Sequence, residues 1–199
     1  MITGSDEGAS FNWKGIAFAE PPTGALRWRA PRPAAAWEGT RSATEFRSAC
    51  FQPGGLFGGS DETWSGSEDC LYLNVWSPAL TKDEALTQKL PVMMWIHGGA
   101  NVIGSTDSYD PSQLVEKHQV IVVTVPYRMS SLGWFRHPAF RQQGTTPEDQ
   151  SGNYGTLDTI LALNWIKENI TSFGGDVDNV TIFGESAGGH NVIALFASP

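Results

Sequence analysis

The sequence predicts an α/β fold in which a mostly parallel central sheet is flanked by helices, and three observations predict it. The apolar segments at 71–76 (LYLNVW), 90–96 (LPVMMWI), 120–126 (VIVVTVP) and 179–183 (NVTIF) are short and continuous rather than alternating. Strands that are apolar on both sides have both faces covered, which is the condition of a parallel sheet between helices. Helical segments separate them at 111–119 (PSQLVEKHQ), 157–170 (LDTILALNWIKENI) and 186–197 (SAGGHNVIALFA). The alternation of the two types along the chain selects right-handed crossover units.

Residues 11–47 are rich in Pro, Trp and Arg with little periodicity, and read as a segment laid over the body with short strands at best. Residues 51–67 read as a flexible loop with five glycines and three large aromatics. The run at 120–126 is β-branched and stopped by Pro126. The helix at 111–119 opens with a proline suited to its first turn. The helix at 157–170 places Leu157, Leu161 and Trp165 on one stripe, with Ile160, Leu163, Ile166 and Ile170 alongside. Apolar around most of its circumference, it is expected to be deeply buried before it closes at Gly174-Gly175. No internal repeat and no second domain are visible, so residues 1–199 read as part of one domain.

Composition narrows the function classes. With 40% hydrophobic and 17% charged residues the chain is globular. A net charge of −8, scattered rather than in runs, excludes nucleic acid as a partner, because phosphate binding takes clustered Lys and Arg. No window approaches the roughly 18–20 apolar residues of a membrane span. The start, MITGSDEGASFNWKG, shows no signal peptide. Cys50 and Cys70 fit free thiols at least as well as a bridge; paired, they would stabilise the fold by about 3 kcal/mol and imply an oxidising compartment. Asn169 and Asn179 open Asn-x-Ser/Thr triplets, a pattern common by chance.

Chemistry concentrates at Gly184-Glu185-Ser186-Ala187-Gly188. A Gly-rich turn with an incidental serine would satisfy the bare pattern, but here an apolar strand precedes it and a helix follows, the context a nucleophile elbow requires. Flanking side chains would collide at so sharp a turn, hence the glycines. Ser186 is thereby lifted above the carboxyl ends of the strands, where α/β sheets bind ligands, with a helix N-terminus behind it. His97-Gly98-Gly99-Ala100, directly after the strand at 90–96, would alone be an ordinary turn; paired with an elbow it becomes a loop whose N–H groups reach a substrate oxyanion.

Longer segments make the pattern specific: GIAFAEPPTGALRWRAP, SEDCLYLNV, VMMWIHGGA, VPYRMSSLGW and GNYGTLDTILALNWIKENITSFGGDVDNVTIFGESAGG. Through them the chain resembles the N-terminal part of the type-B carboxylesterases, the cholinesterase–carboxylesterase family of the α/β-hydrolase fold. The resemblance implies a serine esterase acting on small-molecule carboxylic esters through an acyl-enzyme intermediate, without metal or organic cofactor. Ser186 is then the nucleophile, and Gly99, Ala100 and Ala187 supply the oxyanion hole. Glu185, Gly98 and His97 support the site, with Glu185 shaping its electrostatics. Cys50 and Cys70 match the family's first disulfide, which points to a secreted or periplasmic location. Glu68, Arg128 and Asp158 match positions that tend to form buried ion pairs. The loop departs from the pattern, with Ala100 for a third glycine and Asn101 for an aromatic, which removes an expected wall of the acyl pocket. Trp64 lies nearer Cys70 than the choline-site tryptophan of cholinesterases, so choline specificity is not implied.

In that family the chain order is serine, acid, histidine, the last two far downstream. The sequence ends at Pro199, thirteen residues after Ser186. The expectation is therefore a domain truncated at its C-terminus, carrying nucleophile and oxyanion hole but inactive alone. His190, one helical turn past Ser186, is expected to pack against neighbouring elements rather than act as base; His97 is expected to brace the loop, and His118 and His137 have no spacing argument. The alternatives are a non-catalytic, cholinesterase-like binding or adhesion protein, which would typically lose the elbow serine or its glycines, and an inactive truncated product.

Overall fold

The computed structural model describes residues 1–54 and 63–198. In chain order its strands are β1 (Ile2–Thr3), β2 (Ser5–Asp6), β3 (Ser10–Ala17), β4 (Arg41–Ser42), β5 (Gln52–Pro53), β6 (Trp64–Ser65), β7 (Tyr72–Pro78), β8 (Leu90–Ile96), β9 (Ile121–Val125) and β10 (Gly175–Gly184). The helices are α1 (Lys82–Thr87), α2 (Ser112–His118), α3 (Ser130–Gly133), α4 (Pro138–Gln143), α5 (Tyr154–Asn169) and α6 (Ala187–Phe196). A central sheet runs in the order β10-β8-β9-β7-β3-β2, while β1 with β4 and β5 with β6 form two-stranded ribbons. Residues 55–62 of the Gly-rich loop expected at 51–67 lie outside the described residues.

The α/β class holds, and the sheet is mixed. β8 is parallel to both β9 and β10, with Ile96 level with Val125 and Gly184, so the three strands end together beneath the elbow. The other half is antiparallel: β7 against β9, β3 against β7, and β2 against β3. β3 is an eight-residue strand of this sheet rather than a surface segment. Its apolar signal is broken because Ser10 and Asn12 are among its buried residues and because a register shift falls between Trp13 and Ile16.

Alternation along β8 and β9 separates two cores. Val92, Met94, Ile96, Ile121, Val123 and Val125 face the larger one, completed by Ala162 and Ile166 of α5 and flanked by Val192 and Leu195 of α6. Val122 and Trp76 face the other, with Val115 of α2. Both faces of the central strands are thus covered, as their sequence requires. Among the described residues β10 pairs with β8 alone, and α6 exposes Ile193 and Phe196. No helix among them is long and apolar enough to cross a membrane.

α5 presents a different face from the expected one. Tyr154, Gly155, Asp158, Thr159, Ala162 and Ile166 are buried, whereas Leu157, Leu161 and Trp165 are only half-buried. The reason is Asp158, fully buried against Arg128, which turns the small and polar side of the helix inward. Leu161 and Trp165 instead line a cavity of about 800 Å³ together with Trp13 and Phe173. None of its lining residues belongs to the elbow, so its size says nothing about the candidate chemistry. Pro111 sits just before α2, not within it.

Candidate active site

β10 ends at Gly184 and α6 begins at Ala187, leaving Ser186 as the hinge of the turn with φ 54° and ψ −120°. This sparsely populated conformation costs on the order of 1–3 kcal/mol, and the surrounding packing sustains it. A Cβ added to Gly184 would lie 2.5 Å from Gly188 C and 2.7 Å from Ile96 O. One added to Gly188 would overlap Ile96 O and lie 2.8 Å from His97 O. The glycines of the motif therefore mark a seam where α6 meets the end of β8 backbone to backbone. Ser186 and Glu185 are exposed beside it, while Ala187 and Gly188 are buried. As the first residue of α6, Ala187 belongs to the turn whose N–H groups have no intrahelical acceptor.

The loop after β8 adjoins that turn. A Cβ on Gly98 would lie 2.6 Å from Glu185 Oε2 and 3.2 Å from Ser186 Cβ. Gly99, Ala100 and Asn101 are consecutively left-handed, with φ of 96°, 57° and 60°, and the N–H groups of Val102 and Ile103 fold back onto Gly99 O at 2.9 and 3.0 Å. Among the described residues, the Gly99 and Ala100 N–H groups donate to no protein acceptor. Two side chains that sequence reasoning did not connect hold this loop. Gln52 bonds Gly104 through both ends of its amide, and Asn191 of α6 donates to Asn101 Oδ1 at 3.0 Å. Residues 52 and 90 positions apart carry no mutual signal in a single sequence.

His97 is buried, stacks on Tyr127 with ring centroids 4.5 Å apart, and donates from Nδ1 to Gly98 O at 2.8 Å. Burial holds its pKa below the usual histidine range, only partly opposed by the Gly98 carbonyl. Tyr127 Oη donates to His97 O at 2.7 Å, and burial pushes the phenol pKa well up. Tyr109, near the Glu185 carboxylate, is also raised, chiefly by burial. His190 is exposed on α6 rather than packed against its neighbours, because the face of α6 that meets the sheet and α5 carries Val192 and Leu195. His118 is exposed at the end of α2, and His137 caps α4 through Nδ1. None of the four histidines hydrogen-bonds Ser186 Oγ.

Cys50 and Cys70 form a disulfide, with Cα atoms 4.9 Å apart. Phe51 and Trp64 stack on the exposed side of that loop, centroids 5.2 Å apart. Arg128 and Asp158 make the expected buried ion pair, at 2.7 Å from Nη2 to Oδ1, and the carboxylate also accepts the Arg128 backbone N–H at 2.9 Å. Glu68 departs from expectation. It pairs with Arg27, and both side chains keep substantial solvent contact, because Arg27 lies on the outer segment between β3 and β4.

Known proteins resemble this chain in sequence and fold. The model of the carboxylesterase family matches residues 2–199. The chain is 45% identical to the para-nitrobenzyl esterase of Bacillus subtilis over 100% of its own length and 39% of the relative's, and 45% identical to the fumonisin B1 esterase of Sphingopyxis macrogoltabida over 97% of its length and 35% of the relative's. The structure of the carboxylesterase EST55 of Geobacillus stearothermophilus superposes with a TM-score of 0.84 at 42% identity, covering 100% of this chain and 39% of that one. The chain thus spans roughly two fifths of the length of these relatives. With the family model matching from the first strand to the last helix, and with relatives 45% identical over nearly the whole of it, the chain belongs to the carboxylesterase family.

Proposed function

We propose that this chain carries the nucleophile and the oxyanion-binding amides of a serine carboxylesterase. The observation that carries the reading is the strained, exposed Ser186, set beside the Gly98–Ala100 loop whose Gly99 and Ala100 N–H groups have no protein acceptor among the described residues. In this reading Ser186 Oγ attacks the ester carbonyl carbon as a general base takes its proton, and the Gly99, Ala100 and Ala187 amides hold the tetrahedral oxyanion. The C–O bond to the alcohol then breaks, the alkoxide regains the proton, and water hydrolyses the acyl-enzyme by the same route in reverse. Since no histidine of this chain bonds Ser186, the base is assigned to a histidine–carboxylate pair outside these 199 residues. The substrate class is a small carboxylic ester, consistent with esterase relatives whose own names cite para-nitrobenzyl and fumonisin B1 esters. The disulfide agrees with an oxidising compartment. The test is labelling of the full-length protein with a fluorophosphonate. Labelling should vanish in Ser186→Ala, and its persistence there would overturn the assignment.

A further inference from the structure

The loop from Gly98 to Gly104 is an unusual piece of chain to find in one fixed shape. It strings together left-handed Gly99, Ala100 and Asn101, and Gly104 sits at φ 130° with its α-carbon packed so close to the His97 ring that a side chain would collide with Nδ1. Its internal bonds are two N–H groups sharing one acceptor, Gly99 O. If oxyanion amides are to be held in place, something outside the loop must hold them.

We propose that Gln52 and Asn191 are positioning residues that clamp the two ends of this loop; the functional part of the proposal rests on the esterase reading above. Gln52, nearly buried two residues after Cys50, pairs with Gly104 as a neighbouring strand would. Its Oε1 accepts the Gly104 N–H at 2.7 Å, and its Nε2 donates to Gly104 O at 2.9 Å and to Cys50 O at 3.0 Å. The far end of the loop is thereby fastened to the disulfide. At the near end, buried Asn191 donates from Nδ2 to Asn101 Oδ1 at 3.0 Å, with Asn101 Nδ2 facing Asn191 Oδ1 at 3.5 Å. Asn191 lies on α6, five residues after Ser186, so this clamp fixes the loop to the element that carries the nucleophile. Asn101 is the residue that stands where the family resemblance leads one to expect an aromatic. Its amide is engaged by α6, which gives that departure a positioning role. A third tie, from Ser130 N–H to Asn101 O at 2.7 Å, is main chain to main chain and leaves the side-chain clamps separately testable.

The experiment uses Gln52→Ala, Asn191→Ala, Asn101→Ala and Asn101→Asp in the full-length protein. Displacing oxyanion donors weakens transition-state binding more than ground-state binding, so kcat toward a p-nitrophenyl ester should fall by about 10–100-fold with KM little changed. Affinity for a trifluoromethyl ketone, which forms a tetrahedral oxyanion adduct, should fall in parallel. Asn191 also hydrogen-bonds the Tyr127 phenol, so Asn101→Ala combined with Asn191→Ala should be no worse than Asn191→Ala alone, the Asn101 contact being already lost there. Asn101→Asp keeps an acceptor for Asn191 Nδ2 and should restore most of kcat, which a merely structural lesion at that position would not predict. Independently of activity, amide hydrogen exchange at Val102, Ile103 and Gly104 should accelerate in Gln52→Ala and in Asn191→Ala. Raised KM with unchanged kcat, or unaltered exchange in both variants, overturns the clamp. Absence of ester hydrolysis by the unsubstituted protein would sink only the esterase reading, and exchange would still decide the clamp.

Discussion

Gly188 and Gly189 sit side by side in the first turn of α6, and replacing each by alanine separates the geometry of the seam from the intrinsic preference of the helix. A methyl on Gly188 would lie 2.8 Å from His97 O and 2.9 Å from Ile96 C, and closer still to Ile96 O. These are backbone atoms at the end of a central strand, so the helix must yield. Ordinary carbon contacts begin at about 3.5–4.0 Å, and restoring them moves the start of α6 by about 1 Å. A misplacement of that size costs about 10²-fold in rate, on top of about 1–3 kcal/mol for overpacking. On Gly189 the nearest atom to the methyl is Gly184 O at 3.4 Å, an ordinary contact. Alanine there gains helix propensity of up to about 1 kcal/mol. In full-length protein, the rate of fluorophosphonate labelling should therefore collapse in Gly188→Ala and stay near wild type in Gly189→Ala, with urea midpoints shifting in opposite directions. Wild-type labelling in Gly188→Ala, or equal loss in both, would refute the claim that backbone contact at the seam sets the position of Ser186.

Other parts of the structure predict as definitely. Asp158→Ala strips the buried Arg128 guanidinium of its carboxylate and should cost about 3–5 kcal/mol in urea unfolding; a loss below about 1 kcal/mol would mean that the pair is solvated. Reducing Cys50–Cys70, or replacing both by serine, reopens a loop whose ends are 20 residues apart and should cost about 3 kcal/mol, which an unmoved melting curve with reductant would contradict. For His97, burial depresses the folded-state pKa. Its contribution is intact above the unfolded value of about 6.5 and is lost as pH falls toward the folded value, by up to about 1.4 kcal/mol per pH unit. Stability measured below that value should drop more steeply in wild type than in His97→Asn, and parallel slopes would argue that His97 is solvated.

What could be foreseen depended on whether the cause was local. β8 was readable to the residue because seven consecutive apolar positions, Leu90 to Ile96, mark a strand, although only its alternate residues are fully buried and Pro91 is exposed. Ser186 was readable because its strained turn imposes glycines within two residues on either side. β3 was not, since its buried positions include Ser10 and Asn12, polar residues that break the apolar pattern; Asn12 donates to Glu7, while its Oδ1 is buried without a partner among the described residues. The orientation of α5 was misread for a related reason. Periodicity counts apolar residues, while the decisive residue is Asp158, whose burial is offset by an arginine 30 positions away. Glu68 was assigned to a buried pair by resemblance alone, and its partner, Arg27, lies on a segment with no periodic signal at all. The clamps on the loop share this character, being made between amide side chains that are unremarkable wherever they stand.

The seam beneath the elbow has one more consequence. Because Gly184 and Gly188 meet their neighbours through main-chain atoms, the spacing between the start of α6 and the end of β8 contains no side chain that substitution could resize. Diversity is thereby channelled elsewhere. Asn101, one step outside the seam, is instead held through a side-chain contact with Asn191, so a change there acts on the loop through a partner that can change with it. The distance between α6 and β8 is thus set by atoms that every amino acid shares.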